Sequence, residues 1–133
     1  DVVVIATGSV PLTPDIPGIE KPFVVTCCDL LLGKKKAGNQ IMVIGGGLEG
    51  AETALWLASQ GKKDGEIVVL TSNMEAKEFQ CDTVALSIGM KSNRDLHDSL
   101  VGQVGEVYAI DDCNQPRKIR DAIWEGWNLG RTL

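Results

Sequence analysis

A glycine-rich turn between a short apolar run and a helix-forming run constrains the fold of this chain more than any other feature. Residues 41–44 are apolar without alternation, which is typical of a parallel strand that is covered on both faces. Gly45, Gly47 and Gly50 follow in the spacing G-x-G-x-x-G, and residues 51–60 favour a helix. The first glycine permits a tight turn, the second lets the backbone approach a pyrophosphate, and the third lets helix and strand pack closely.

This order of strand, turn and helix predicts a dinucleotide site, and a bare structural turn is the alternative interpretation. The N-terminus of the helix would offer unpaired N–H groups and a partial positive charge to the phosphates. The residues that we expect to contact the cofactor here are Gly45, Gly46, Gly47, Leu48, Glu49 and Gly50.

Composition narrows the class of protein. A length of 133 residues suits one domain or two small lobes, and a formal net charge of −5 argues against a nucleic-acid surface. No apolar run reaches the ~20 residues that a membrane helix needs, and no signal peptide is visible. The chain begins at Asp1 rather than Met, so we expect it to start inside something longer. We therefore expect a cytoplasmic protein without membrane or nucleic-acid partners.

The four cysteines, Cys27, Cys28, Cys81 and Cys113, form no C-x-x-C pair. This spacing indicates neither a zinc ribbon nor a thioredoxin-type dithiol. We expect reduced thiols and no metal site.

Two further apolar runs resemble each other. Residues 1–9 end in Ala6-Thr7-Gly8-Ser9, and residues 83–89 end in Ser87-Ile88-Gly89. Two strands with the same terminus suggest two related nucleotide-binding lobes, with Gly8 and Gly89 at the corresponding positions.

The residue that should select the ribose is absent or altered. In a dinucleotide-binding unit, the strand after the glycine-rich helix ends in an acid about 20 residues past the turn. Glu66 has roughly that separation but begins its strand, the strand's far end carries the neutral residues 71–73, and Glu75 is the nearest acid beyond it. The sequence therefore leaves NAD and NADP as alternatives.

A last strand over residues 106–110 runs into Asp111 and Asp112. Acids at the carboxyl end of a parallel strand lie where ligands bind in open α/β sheets. A helix should follow Pro116 and pack on the sheet. The residues predicted to form its apolar face are Ile119, Ala122, Ile123, Gly126 and Trp127.

Four sequence blocks together carry a resemblance to a known family. They are residues 6–9, 45–52, 87–93 and 112–119. In combination they resemble the pyridine-nucleotide–disulfide oxidoreductase superfamily. More narrowly, they are similar to the C-terminal FAD/NAD(P)H-binding region of NADH:flavin oxidoreductases of the 2,4-dienoyl-CoA reductase and 2-enoate reductase type. The resemblance implies an α/β, Rossmann-like fold, with a parallel sheet and flanking helices.

The resemblance also implies the cofactors. Members of that family pass electrons from NAD(P)H through the flavins FAD and FMN and an iron–sulfur cluster to an unsaturated substrate. On this basis, residues 38–89 form a shortened NAD(P)H-binding lobe, and residues 1–37 and 90–133 form a remnant of the FAD-binding lobe. Asp112 corresponds to the acid that holds the flavin's sugar-like chain. The FMN barrel, the cluster and the other domains of the parent enzyme would lie outside this chain.

The chain departs from the family pattern in three places. First, this sequence lacks the family's glycine-rich FAD strand, which should precede Asp1. Second, Asp111 stands where the family has glycine. The join at residues 62–65 looks shortened, so that either an internal segment is absent or the strand at residues 66–71 occupies the missing strand's place.

We therefore predict part of a flavin-dependent NAD(P)H oxidoreductase whose parent transfers hydride to flavin and onward to an enoate or enoyl substrate. Whether the chain is itself an enzyme stays open, and no side chain is nominated as catalytic. The alternatives are a nucleotide-binding module without catalysis and a structural domain.

Overall fold

The computed structural model describes residues 1–62, 66–68 and 78–133, the middle range by its backbone alone. Within these ranges strands and helices are interspersed along the chain, in agreement with the α/β class that the sequence predicts. The strands are β1 (Val2–Ile5), β2 (Ser9–Pro11), β3 (Val24–Thr26), β4 (Ile41–Ile44), β5 (Glu66–Val68), β6 (Thr83–Leu86), β7 (Met90–Ser92) and β8 (Glu106–Ala109). The helices are α1 (Cys27–Leu31), α2 (Leu48–Ser59), α3 (Asp95–Leu100), α4 (Ile119–Gly130) and a short 3₁₀ helix, Asp111–Cys113.

The chain divides into two compact units. The first unit is residues 1–10 and 90–133, and the second is residues 11–89. This division differs from the predicted lobes in residues 11–37, because β3 pairs with β6 and α1 contacts α2. The assignment of one lobe to NAD(P)H and the other to FAD stays a prediction.

The second unit contains a four-stranded sheet in the order β3-β6-β4-β5, with every neighbouring pair parallel. This arrangement confirms the predicted parallel sheet with flanking helices. The backbone of β5 lies beside β4, in the place of the strand that follows the glycine-rich helix. Whether an internal segment is absent or a later strand has taken this position stays a prediction.

The core of the second unit lies between this sheet and its helices. Val43 is fully buried and Ile41 is almost so, whereas Met42 and Ile44 are only half-buried. Both faces of this strand are therefore covered, and one face carries most of the packing. The buried cluster consists of Val25, Cys27, Leu30, Ile41, Val43, Leu57 and Ala85.

The first unit is built on β1 and β8, which pair in parallel from Val2 opposite Glu106 to Ile5 opposite Ala109. β2 pairs with β7 in a second two-stranded sheet. The short 3₁₀ helix follows β8 and contacts α4. The two apolar runs that end in glycine, residues 1–9 and 83–89, thus contain the strands β1 and β6. β1 belongs to the first unit and β6 to the second.

The predicted packing face of α4 is wrong. Ile119, Ile123 and Trp127 are 82%, 68% and 61% exposed. Ala122 and Gly126, also predicted for this face, are half-buried. α4 buries no residue fully, so its apolar ridge faces outward in the described part of the chain.

Candidate functional site

The glycine turn is fixed by close backbone contacts between β4, α2 and the end of β6. Gly45 has a φ of +121°, and a Cβ built on it would lie 1.9 Å from the carbonyl oxygen of Ser87. A Cβ on Gly50 would lie 2.3 Å from the carbonyl oxygen of Gly45. The Ser87 N–H donates to the Ile44 carbonyl at 2.8 Å. Glycine is therefore required at 45 and 50 by the packing of the turn itself.

Gly47 has different surroundings. It is the N-cap of α2, has a φ of −74°, and a Cβ there would meet no atom within 4 Å. No side chain caps this end of α2. The N–H groups of its first turn are therefore available to a ligand, in the field of the helix dipole.

A cavity of about 490 Å³ opens at this end of α2. Six of its lining residues are ones that the sequence predicts for the cofactor site, and Ser87 and Ile88 complete its wall. The lining residues are Gly45, Gly46, Gly47, Leu48, Glu49, Ser87, Ile88 and Gly89. The structure thus brings Gly89 together with the glycine turn. Gly50 lies beneath the turn, buried.

A buried polar group lies under the turn. Ser87 is 7% exposed, and its Oγ has no hydrogen-bond partner among the described residues. The Oγ1 of Thr53, which is fully buried, is also unpaired there. Sequence reasoning quoted Ser87 as part of a strand end but did not select it, because an unpaired hydroxyl is visible only in three dimensions.

Two thiols lie beside the turn. Burial raises the pKa of the Cys27 thiol, with a further contribution from the Glu49 charge, and the Thr53 and Ser87 hydroxyls oppose this. Burial also raises the pKa of Cys28, whose Sγ donates to Glu49 Oε1 at 3.4 Å. Both thiols are therefore protonated at neutral pH, and the four cysteines are free, in agreement with the predicted reduced state.

The first unit contains the other predicted residues, Gly8 and Asp112. Gly8 follows β1 with a φ of +72°, and its carbonyl accepts from the Asn93 N–H at 3.0 Å. Asp112 follows β8, and its Oδ2 accepts from Ser9 Oγ at 2.8 Å while its Oδ1 accepts from the Arg117 N–H at 3.0 Å. Asp112 is thus placed at the carboxyl end of β8, beside the chain that leaves β1.

The predicted residues therefore form two groups rather than one. Gly89 belongs with the glycine turn in the second unit, and Gly8 belongs with Asp112 in the first. The possible ribose-selecting residues at 71–73 and 75 lie outside the described residues. Glu66 lies at the first position of β5.

Two other features, a metal site and a membrane-spanning helix, are absent from the described ranges. Residues 1–62 and 78–133 contain no group of three or more His, Cys, Asp or Glu side chains that could hold a metal ion. In the same part of the chain, no helix is long and apolar enough to cross a membrane.

Comparison with known proteins decides the family. Residues 1–73, more than half of the chain, match the family model described as pyridine nucleotide-disulphide oxidoreductase. The chain belongs to this family. The match covers β1, the glycine turn and α2.

Several members of the pyridine nucleotide-disulphide oxidoreductase family are similar to this chain. The cinnamate reductase of Clostridium sporogenes is 28% identical over the whole chain, which covers 26% of that protein. The NADH oxidase of Thermoanaerobacter brockii is 49% identical over a stretch that covers 47% of this chain and 10% of that oxidase. The structure of a 2-naphthoyl-CoA reductase superposes on the whole chain with a TM-score of 0.84 at 28% identity, and 27% of that chain is covered.

The chain spans about a quarter of the length of these reductases. The alignment with cinnamate reductase extends over 178 positions, 45 more than the 133 residues here. At least 45 positions of that alignment thus have no counterpart in this chain, in agreement with the predicted shortening. Most of the predicted join, at residues 63–65, lies outside the described residues.

Proposed function

We propose that this chain binds a nicotinamide dinucleotide, with its pyrophosphate at the glycine turn. The observation that carries this proposal is the open space at Gly47, on the uncapped N-terminus of a twelve-residue helix. A phosphate can approach the backbone there because no side chain blocks it.

The residues present fit such a ligand in two further respects. The cavity of about 490 Å³ is large enough for a substantial part of a nucleotide. Ser87 is among the lining residues, and its buried hydroxyl has no hydrogen-bond partner among the described residues, so a ligand or an accompanying water that reached it would supply one. Glu49 is the one predicted contact whose charge opposes phosphate, and its carboxylate is directed to Cys28.

The wider function proposed is that of a flavin-dependent NAD(P)H oxidoreductase acting on an enoate or enoyl substrate. Family membership supports the redox class. Two similar proteins are named for the reduction of cinnamate and of 2-naphthoyl-CoA, both unsaturated carboxylic compounds. FAD would contact Gly8 and Asp112. FMN and an iron–sulfur cluster would belong to further domains of the parent enzyme. The parent enzyme would act in the cytoplasm.

The bound cofactors supply the hydride chemistry, and the protein supplies binding and orientation. The backbone of the glycine turn would hold the pyrophosphate, and Gly89 would border the same cavity. Asp112, whose two carboxylate oxygens are already oriented by Ser9 and Arg117, would hold a hydroxyl of the flavin's sugar-like chain.

Calorimetric titration with NADH, with NADPH and FAD as comparators, tests the proposal. We expect NADH to bind the chain and Gly47→Val to abolish that binding, because a side chain at 47 blocks the phosphates. Pro11→Ala, a substitution outside the turn, is the control and should keep the wild-type affinity for NADH.

The other outcomes distinguish the alternatives. Binding of NADH without FAD would indicate a nucleotide-binding module rather than a flavin-linked unit. An absence of binding by all three compounds would indicate a structural domain and overturn the proposal.

A further inference from the structure

Asp111 adopts a backbone conformation that is unusual for its residue type. Its φ is +59°, and among the described residues it is the one residue other than glycine with a positive φ. A left-handed conformation costs a residue with a Cβ free energy that its surroundings must supply. The neighbouring residue in the turn is Asp112, so whatever holds Asp111 also determines where Asp112 lies.

The Glu125 carboxylate supplies the contacts at this turn. The Asp111 N–H donates to Glu125 Oε2 at 2.6 Å, and the Asn114 side-chain amide donates to Oε1 at 3.3 Å. The Arg117 guanidinium pairs with the same Oε1. Three donors from the turn at residues 111–117 therefore converge on one side chain of α4.

The charge state of Glu125 suits an acceptor for these three donors. Burial raises its pKa, but the Asp111 N–H, Arg117 and Asn114 together outweigh burial and hold the pKa below its ordinary value of 4.5. The side chain is 24% exposed, so it is ionised at neutral pH in a largely enclosed position. An ionised carboxylate is a stronger acceptor for a backbone N–H than a neutral group.

We propose that Glu125 is a positioning residue, which holds Asp111 in the left-handed conformation and thereby places the Asp112 carboxylate at the carboxyl end of β8. Both Asp112 oxygens are engaged in this placement, with Ser9 Oγ and the Arg117 N–H. The proposal rests on the proposed function only for what Asp112 then binds. Loss of Glu125 would let residue 111 relax and would break the contact between Asp112 and the Arg117 N–H.

Amide hydrogen exchange of the chain without cofactor tests this directly. The Arg117 N–H reports the position of Asp112, and the Ile110 N–H, which donates to the Ile5 carbonyl at 3.0 Å, reports the stability of the strand pair. We expect Glu125→Ala to speed exchange at Arg117 about tenfold relative to exchange at Ile110. Glu106→Gln, on β8, is the matched control and should leave this ratio unchanged.

A second substitution separates positioning from a purely structural role. Asp111→Gly removes the Cβ that makes the left-handed conformation costly, so adding it to Glu125→Ala should return the exchange ratio at Arg117 to within about threefold of wild type. Glu125→Asp, which keeps the charge but shortens the side chain, should behave as Glu125→Ala does and provides a second route if the alanine variant does not fold.

Two results would overturn the proposal. One is an unchanged exchange ratio in Glu125→Asp and Glu125→Ala. The other is a raised exchange ratio in Glu125→Ala that adding Asp111→Gly does not return toward the wild-type ratio. That result would mean that Glu125 acts on the Arg117 side chain alone. Failure of FAD to bind would affect the proposed function and leave these measurements as they are.

Discussion

Gly45, Gly47 and Gly50 belong to one motif but have different surroundings, and their substitutions should separate binding from folding. Gly47→Val enters open space, so we expect it to abolish NADH binding while the free energy of unfolding changes by less than about 0.5 kcal/mol. Gly45→Ala and Gly50→Ala force a Cβ against carbonyl oxygens and should cost about 1–3 kcal/mol. Calorimetric titration measures the NADH affinity, and urea unfolding measures the free energy of unfolding. Equal destabilisation by all three would contradict this division.

Asp82 joins the loop before β4 to the start of β6, and it should contribute stability that depends on pH. The N–H groups of Asn39 and Gln40 donate to its Oδ2 at 2.8 and 3.1 Å and hold its pKa below the ordinary value of 3.8. A carboxyl with a lowered folded pKa stabilises the protein above its unfolded pKa, and this contribution is lost as the pH falls through the folded value.

We therefore expect Asp82→Asn to lower the melting temperature at pH 7 and to flatten the decline in stability below about pH 4. Asp15→Asn, at an exposed carboxyl in the same unit, is the control and should keep the wild-type pH profile. Thermal unfolding from pH 3 to pH 7 makes the comparison. A profile for Asp82→Asn that runs parallel to wild type would show that the carboxylate does not carry this pH dependence.

Among the elements, α4 has an apolar ridge whose large side chains are mostly exposed. We expect Ile123→Ser and Trp127→Ser to change the free energy of unfolding by less than about 0.5 kcal/mol, because these side chains are 68% and 61% exposed. Leu57→Ala, in the core on α2, should cost about 2–5 kcal/mol. Denaturant titration tests the contrast. A loss near 2 kcal/mol at either α4 position would place that residue in a packed core.

The contrast between β4 and α4 shows what sequence pattern can and cannot provide. The bounds of β4 were predicted correctly, because a buried apolar run followed by a glycine turn has few other structures available. The periodicity of α4 correctly indicated a helix, but periodicity alone does not identify the surface against which a helix packs.

The candidate site shows the same limit. The glycine turn was recognisable because its spacing expresses backbone requirements, and Gly45 and Gly50 meet them through local contacts. The carboxylate of Glu125 accepts from the Asp111 N–H, 14 positions away along the chain, and the Ser87 hydroxyl is buried without a partner among the described residues. Contacts of that kind arise only when the sheet and the helices have assembled.

For the molecule as a whole, the proposed sites place the two cofactors on different units, and this proposal can be tested. NADH at the glycine turn should slow amide exchange in the first turn of α2 and at residues 87–89, in the second unit. FAD at Gly8 and Asp112 should slow exchange at residues 8–9 and 111–117, in the first unit. A bound ligand stabilises the state that binds it, by a free energy that rises with the logarithm of its concentration relative to its Kd.

Hydrogen exchange at saturating concentrations of each cofactor, residue by residue, measures these effects separately. Gly47→Val should abolish the protection by NADH and leave the protection by FAD intact, because position 47 has no neighbour to disturb. Asp112→Asn should do the reverse. If either variant removed both sets of protection, the two units would share one binding event, and the separate assignment of the cofactors would be wrong.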